Sequence, residues 1–438
     1  MQEEFLIGLT ICFVCQFIYF KTKYKFFIFS PIYVFLFFLI FSLITTCGYY
    51  FFVKNKINLY GFDESTDIEL FLITLTFFLF ALNIVLFNFN LYYILSNKKN
   101  KLLLKKLPFV NYKYTNIKKK YTNVKKKYKN IKKKYIYFLG AVLLLFFCFF
   151  LILVVYGKGF LYRDEYLPLF TVFQKNLRIA LFLFSFVYVL LLGELFKYAK
   201  KISIFLFCIF MLCFISTGSR RLILFLILYI LPIISNIRWN IRQIFFLGIY
   251  FLFSIIFSVY AMQLRKLEFH GLIPYLFFVK EFMRNFLEVF YFLFYYIFIF
   301  GFFVTAQTLK FNFIYNVVNL KTTLIELNPL PGVLVGWYKI VDNMMLNFFC
   351  PFSLYGEVFY MGWFFTTFFF SILAFLLFIL EKKIRYYFYI KKQKYIAIML
   401  FILSLLFVIF SWEYHMRSAM RYIYYAIFFS WFYKFFLK

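Results

Sequence analysis

Long apolar stretches recur along the whole sequence and limit what it can fold into. Examples are residues 26–46, 69–95 and 136–156. A helix needs roughly 20 apolar residues to cross a hydrocarbon core of about 30 Å. Because 65% of the 438 residues are hydrophobic, a water-soluble fold could not hide them. We therefore predict an all-α polytopic membrane protein that forms a single integral membrane domain over residues 1–438.

The apolar pattern predicts about 11–13 transmembrane helices. The predicted spans are 5–20, 26–46, 69–95, 136–156, 178–196, 202–216, 222–235, 243–262, 286–308, 355–380, 395–412 and 421–436.

The loop at 97–135 indicates which side of the membrane is cytoplasmic. It holds sixteen lysines and no acidic residue, and it contains the heptad repeat "YTNIKKKYTNVKKKYKNIKKKY". The positive-inside rule places such a loop in the cytoplasm. A narrow Tyr/Ile/Val stripe beside a broad lysine face suits a helix on an anionic membrane surface better than a coiled coil or a nucleic-acid arm.

Alternation of the spans then places 47–68, 157–177, 217–221 and 263–285 on the outer side. Between 242 and 381 the alternation fails, so either 286–308 is re-entrant or a segment within 309–354 crosses back. We predict one broad outer region over 263–354, part of which dips into the membrane. The sequence "NPLPGVLVG" suits a broken segment of that kind.

Basic residues collect on this predicted outer side. The turn "STGSRR" carries Ser219, Arg220 and Arg221 between two short spans. Backbone N–H groups at a helix start, with guanidinium groups beside them, can bind an anion; interfacial anchoring is the alternative. The next outer loop adds Arg265, Lys266, His270 and Arg284. Together these residues suit a phosphorylated lipid whose head lies at the membrane interface.

A third group of polar residues lies late in the chain. Glu357, in "YGEVFYMG", falls at the predicted outer start of a long span. It is either a satisfied interfacial carboxylate or a catalytic base. The last outer loop adds His415 and Arg417. Two distant histidines and scattered cysteines give no recognisable ligand set, so we expect no metal and no cofactor.

Three motifs carry a family resemblance: "TGSRR" between short spans, "MQLRK" two spans later, and "PFSLYGEVFYMG" opening a late span. In this layout the chain resembles the O-antigen polymerases, the Wzy-type polymerases of oligosaccharide repeat units. These are relatives of the O-antigen ligases and share the C-type glycosyltransferase architecture.

The resemblance implies a metal-independent glycosyl transfer on the outer face of the bacterial inner membrane. A growing glycan would leave undecaprenyl pyrophosphate for the non-reducing-end sugar hydroxyl of a new lipid-linked unit. By position, Arg220 and Arg265 match the arginines expected to hold the pyrophosphate, and a guanidinium suits that leaving group.

Other roles follow less directly from the same resemblance. Arg221, Ser219 and Arg284 would assist pyrophosphate binding. Glu357 stands where ligases place a histidine, so either Glu357 or His270 would be the base. Arg417 and His415 would lie on the acceptor side. Expected partners are the undecaprenyl-pyrophosphate-linked oligosaccharide, membrane lipids and a chain-length regulator, with no nucleic acid.

Three rival functions remain open from the sequence. A lipid-linked oligosaccharide flippase or other polysaccharide transporter often shows repeated sets of spans, and no such duplication is visible. An O-antigen ligase would use the same fold with a different acceptor. A non-catalytic membrane protein is disfavoured by the cluster of basic residues on the predicted outer side.

Overall fold

A computed structural model describes most of the chain and confirms an all-α polytopic membrane protein. The described residues are 2–23, 27, 29–53, 66–99, 119–166, 171–219, 222, 225, 226, 228–230, 233, 241–264, 267–347, 350–391 and 393–436. The chain divides into two compact units, one formed by Met1–Val110 with Phe294–Lys438 and the other by Asn111–Leu293. The prediction of a single domain over 1–438 stays a prediction.

The helices are numbered here in the order in which the described residues form them. They are α1 (Gln2–Lys23), α2 (Pro31–Phe52), α3 (Ile68–Lys99), α4 (Lys119–Tyr156), α5 (Val172–Leu195), α6 (Lys200–Ile215), α7 (Ile241–Gln263), α8 (Leu272–Arg284), α9 (Phe286–Tyr295), α10 (Gly301–Tyr315), α11 (Leu320–Leu327), α12 (Gly332–Val335), α13 (Leu354–Tyr360), α14 (Gly362–Arg385), α15 (Lys394–Glu413) and α16 (Met416–Phe436).

Shorter elements complete the fold. A 3-10 turn at Gly157–Phe160 follows α4, and π-helical turns at Tyr296–Phe300 and Tyr386–Ile390 follow α9 and α14. Two further 3-10 turns, Trp337–Lys339 and Val341–Asn343, lead into a two-stranded antiparallel hairpin. Its strands are β1 (Met345–Asn347) and β2 (Cys350–Pro351).

Six stretches of the described residues are long and apolar enough to cross a membrane. They are Pro31–Phe52, Ile68–Leu95, Lys134–Phe160, Val172–Leu195, Phe286–Tyr315 and Gly362–Ile390. Leu6–Thr22 and Ile396–Trp412 are shorter apolar helices. These match eight of the predicted spans within a few residues at most ends. Most of the predicted span at 222–235 lies outside the described residues.

The late span begins further along the chain than the sequence suggested. The predicted helix at 355–380 is interrupted after Tyr360, and the long helix starts at Gly362. Gly362 has a φ of +87°, which glycine adopts far more readily than other residues. Glu357 consequently lies on the separate seven-residue helix α13 and not on the membrane-length helix α14.

Two other predicted segments take a definite form. The heptad repeat, predicted within a loop at 97–135, is helical from Lys119 and continues into the span as α4. In the predicted outer region 263–354, the segment 286–315 is helical throughout and long enough to cross a membrane. The chain from 316 to 351 then forms only the short helices α11 and α12, the 3-10 turns and the hairpin.

The core of the first unit is built around the indole of Trp412, which is fully buried. Phe78, Tyr355 and Phe38 pack against it, with ring centroids 5.0, 5.8 and 6.1 Å away. Helix α10 can come this close only because residue 301 is glycine. A Cβ there would lie 1.8 Å from Cδ1 of Trp412. The packing of α10 against α15 thus depends on a small residue, as is common between membrane helices.

We therefore expect Gly301→Ala to destabilise the protein by about 1–3 kcal/mol, because the buried indole must move to admit one methyl group. Gly48→Ala is the matched control, since a Cβ at Gly48 has no neighbour within 4 Å. The midpoint of thermal unfolding of the detergent-solubilised protein measures the difference. Equal unfolding midpoints for the two variants would show that the packing of the Trp412 indole does not require glycine at position 301.

Candidate functional site

Glu357 is held in place by the helix to which it belongs. The side chain of Ser353 caps α13 by accepting a hydrogen bond from the N–H of Gly356 at 2.9 Å. The Ser353 hydroxyl also lies 2.9 Å from the hydroxyl of Thr305 on α10. Glu357 falls in the first turn of α13, where a carboxylate is favoured by the helix dipole. The residue is completely buried.

A second helix also directs its N-terminus at Glu357. Oε2 of Glu357 accepts a hydrogen bond from the backbone N–H of Met416, the first residue of α16, at 2.9 Å. One carboxylate oxygen therefore satisfies an N–H group that has no partner within its own helix. Oε1 of Glu357 has no hydrogen-bond partner among the described residues.

Glu326 is the neighbour of Glu357, and the sequence analysis did not single it out. It lies on α11, is completely buried, and neither of its carboxyl oxygens has a conventional donor among the described residues. Burial, together with the adjacent Glu357, raises the pKa of Glu326 well above its ordinary value. Burial also raises the pKa of Glu357, to about 7, while Glu326 and the backbone N–H of Met416 oppose that rise. Two adjacent buried carboxyl groups cannot both carry a charge at low cost, so the pair keeps at least one proton near neutral pH.

The guanidinium of Arg417 lies near this carboxyl pair and binds backbone carbonyl groups. Nη1 donates to the carbonyls of Ile325 at 2.8 Å and Asn328 at 2.9 Å, and Nη2 donates to the carbonyl of Leu330. The guanidinium thereby caps the end of α11 and holds the chain that follows it. Only 2% of Arg417 is exposed, so its charge acts within the protein, where it favours the charged form of Glu326.

His415 is the part of this cluster nearest to the surface, because it is only partly buried. Its ring packs edge-on against Trp337, with centroids 4.6 Å apart. Nδ1 accepts a hydrogen bond from the N–H of Ser418 at 3.2 Å. Burial, together with Arg421 and Arg417, lowers the pKa of His415 to about 4. His415 is therefore neutral near pH 7, with Nε2 carrying the proton.

A second polar cluster lies in the other compact unit, where three segments predicted on the outer side meet. Arg163 and His270 form an isolated antiparallel bridge, with each backbone N–H 2.8 Å from the carbonyl of the other residue. Gly271, beside this bridge, has a φ of +113°, and a Cβ there would lie 2.6 Å from the carbonyl oxygen of Leu161. The close approach of these two segments therefore requires glycine.

The side chain of Arg163 fixes the turn that precedes Arg220. Its Nη1 donates to the carbonyl of Ser216 at 2.8 Å and to that of Gly159 at 3.0 Å. The hydroxyl of Tyr166 donates to the carbonyl of Gly218 at 3.0 Å. Gly218 has a φ of +62°, and a Cβ there would lie 2.7 Å from the Tyr275 hydroxyl oxygen. The backbone of residues 216–218 is thus held from several sides.

His270 belongs to the same cluster. Its Nδ1 lies 2.9 Å from the hydroxyl of Tyr275, and only 4% of the residue is exposed. Burial and the nearby Arg163 both lower the pKa of His270 below its usual value. The ring is therefore neutral near pH 7 and could accept a proton only weakly.

The remaining predicted site residues are placed as follows. Ser219 is partly buried, and its N–H donates to the hydroxyl oxygen of Thr217 at 3.3 Å. Arg284 is exposed in the last turn of α8. Arg220, Arg221 and Arg265 lie outside the described residues.

The predicted residues fall into two groups. The first unit brings Glu357, His415 and Arg417 together, and the second unit brings His270 to the turn that carries Ser219. Sequence reasoning missed Glu326 and Arg163. Glu326 had a weak signal in the sequence, because Thr322, Thr323 and Glu326 recur at helical spacing among the leucines and isoleucine of α11.

The described residues contain no group of three His, Cys, Asp or Glu side chains arranged as metal ligands. Comparison of the chain with family models, curated proteins and solved structures gives no match. The interpretation of the two clusters therefore depends on their own geometry and on the motifs of the sequence.

The raised pKa of Glu357 has a consequence for stability. A buried carboxyl group whose folded pKa is raised stabilises the fold below its unfolded pKa, and this contribution is lost as pH rises through the folded value. We expect the unfolding midpoint of the wild type to fall between pH 5 and pH 8. In Glu357→Gln, whose amide oxygen can still accept from Met416, the fall should be smaller. If the unfolding midpoints of the wild type and of Glu357→Gln fell equally between pH 5 and pH 8, Glu357 would not titrate in that range.

The role of Arg163 can be tested by a charge-conserving change. Arg163→Lys keeps the charge but cannot reach the carbonyls of Ser216 and Gly159 together, so at least one charge-assisted hydrogen bond is lost. We expect a destabilisation of about 1.5–3 kcal/mol, measured by thermal unfolding. Arg284→Lys, at an exposed position, is the control and should change the midpoint little. An effect no larger than that of the control would exclude Arg163 as the residue that fixes the turn.

Proposed function

We propose that this chain is a glycosyltransferase of the bacterial inner membrane that polymerises lipid-linked oligosaccharide repeat units. The hydroxyl oxygen at the non-reducing end of a new lipid-linked unit attacks the anomeric carbon of the growing glycan. The bond from that carbon to the undecaprenyl pyrophosphate oxygen breaks, and the pyrophosphate leaves with the electron pair. The hydroxyl proton passes to a base of the protein.

The buried pair of carboxyl groups carries this proposal. A base that works near neutral pH must have a pKa near that pH. Glu357 meets this condition because burial raises its pKa to about 7. The pKa of the adjacent Glu326 is raised well above its ordinary value, so this second carboxyl group favours its protonated form. Two adjacent carboxyl groups with different proton affinities are a common arrangement in acid–base catalysis.

The motif in the second unit supports the leaving-group half of the reaction. The turn at 216–219 is fixed by Arg163 and Tyr166, and Arg220 and Arg221 follow it directly in the chain. A preorganised group of positive charge stabilises a departing pyrophosphate without a metal ion. Under the proposal, Arg220 and Arg265 bind the pyrophosphate, assisted by Arg221, Ser219 and Arg284.

The first unit also suits the acceptor sugar. His415 is neutral and partly exposed, and its Nε2–H, which lies 3.4 Å from the hydroxyl of Ser418, could donate to a sugar hydroxyl instead. Glu357 is sealed from solvent in this structure, so transfer of a proton to it requires an open state. Arg417 stabilises the closed state, because it ties the carbonyls of Asn328 and Leu330 to the start of α16.

One observation also favours a second candidate function, a proton-coupled transporter of lipid-linked oligosaccharide. A buried carboxyl pair whose pKa is raised towards neutrality is also a feature of proton-coupled transporters. The ligase function uses the same groups with another acceptor. The three functions predict different accumulated intermediates in cells.

The decisive variants are Arg220→Ala and Arg265→Ala, introduced into a strain that lacks the native copy. We expect each to lower polymer formation by about 100-fold or more, because a charge contact to the leaving group is removed. Single repeat units should accumulate on the lipid or on the final acceptor. Lys321→Ala, an exposed change on α11, is the control and should leave the glycan ladder on a gel unchanged.

The same gels separate the alternatives. Unattached long glycan would indicate a ligase, and lipid-linked units confined to the cytoplasmic leaflet would indicate a transporter. Normal polymer in both arginine variants, at normal protein level, would exclude the polymerase function proposed here.

A further inference from the structure

The first compact unit contains a cleft, and none of the predicted site residues that the structure describes line it. Its volume is about 530 Å³, within the usual range for small-ligand sites. The end of α10, the start of α11, the 3-10 turn Val341–Asn343 and the start of β1 form its walls. The space is large enough for one or two sugar rings.

The side chains around the cleft combine aromatic surface with planar polar groups. The rings of Phe311 and Tyr315 lie 4.5 Å apart, and Tyr315 is 63% exposed. The polar members are Asn319, Thr322, Asp342 and Asn343. Carboxamide, carboxylate and hydroxyl groups can together donate to and accept from a polyol, while an aromatic ring covers the C–H face of a sugar.

The charge of the cleft narrows the class of ligand further. Among the described residues that line the cleft, Asp342 is the one charged side chain, and none is a lysine, arginine or histidine. A phosphate or another anion would be repelled by the carboxylate and would find no cation to pair with. The lining therefore favours a neutral, hydroxyl-rich ligand over the pyrophosphate end of a lipid-linked substrate.

The walls of the cleft are fixed before any ligand arrives. Asn316 ends α10 in the left-handed conformation, with a φ of +50°. The side chain of Asn312 accepts from the N–H of Val318 at 2.9 Å and so holds the turn that follows. Asn319 and Thr322 then cap α11 reciprocally. A preformed site loses less conformational entropy when it binds a ligand.

The cleft adjoins the buried carboxyl pair through two connections. Thr322 lies one helical turn before Glu326 on α11, so both lie on the same face of that helix. Met344, which lines the cleft, packs in one buried cluster with Trp337. The ring of Trp337 in turn contacts His415. A sugar in the cleft would thus bind close to the acceptor-side residues.

We propose that this cleft binds a neutral saccharide unit of the glycan substrate, with Tyr315 stacking on the ring and Asp342 and Asn343 bonding its hydroxyls. This inference rests on the proposed function, because that function supplies the glycan. A bound sugar here would hold the elongated product between transfers, so that it serves as the donor of the next cycle, and would favour long products.

Photo-crosslinking in native membranes tests the occupancy of the cleft directly. A benzophenone-bearing amino acid is placed at Met345, which lines the cleft and is not one of the residues proposed to bind the sugar, in the full chain and in the strain that lacks the native copy. The control position is Leu324, which is exposed and, two residues after Thr322, faces away from the cleft. After irradiation, glycan joined to the protein is detected by periodate oxidation and hydrazide labelling. We expect label well above background at Met345 and only background label at Leu324, because benzophenone reacts with groups in contact with it and only Met345 lines the cleft.

Product length gives a second readout. Asp342→Ala combined with Asn343→Ala should shorten the modal glycan length while two-unit products still form, and Lys339→Ala on the neighbouring turn should not. Equal labelling at both crosslinking positions, or an unchanged length in the double variant, would overturn the sugar site. A different result would contradict the proposed function itself, namely normal polymer formation in the Arg220→Ala and Arg265→Ala variants.

Discussion

The polar centre of the first unit depends on the guanidinium of Arg417. A buried cation is costly unless its N–H groups find acceptors. Here the acceptors are the carbonyls of Ile325, Asn328 and Leu330, so the end of α11 is tied to the start of α16. This tie places Glu326 of α11 beside Glu357, whose other contact is the N–H of Met416. Without Arg417, the end of α11 would lose its hydrogen bonds to the start of α16.

Arg163 has the same function in the second unit. Its guanidinium also binds backbone carbonyls, at Ser216 and Gly159, and it fixes the turn that leads to Arg220. In both units, then, a buried arginine shapes the backbone, while the groups proposed for chemistry are its neighbours. This distinction bears on mutagenesis, because loss of function in an Arg417 or Arg163 variant can arise from misplaced backbone. Conservative lysine variants and stability measurements separate the two causes.

Much of the fold could be predicted from the sequence, because membrane-length apolar stretches are a local property. The position of Glu357 near the start of a late span was likewise visible. The sequence did not reveal that Glu357 lies on a separate helix, because the break after α13 depends on the left-handed conformation of Gly362. Glu326 was missed for another reason. Its neighbour Glu357 is distant in sequence, and only the packing of α11 against α16 brings the two together. The Arg163–His270 bridge is equally non-local.

The most direct test is reconstitution of the purified full chain in liposomes with purified undecaprenyl-pyrophosphate-linked repeat units. Mass spectrometry of the extracted lipids then follows the products. The account predicts a lipid-linked glycan of two or more units, with one undecaprenyl pyrophosphate released for each new linkage, and loss of both products in Glu357→Gln. Unchanged lipid-linked units, or units moved across the bilayer without a new glycosidic bond, would contradict it.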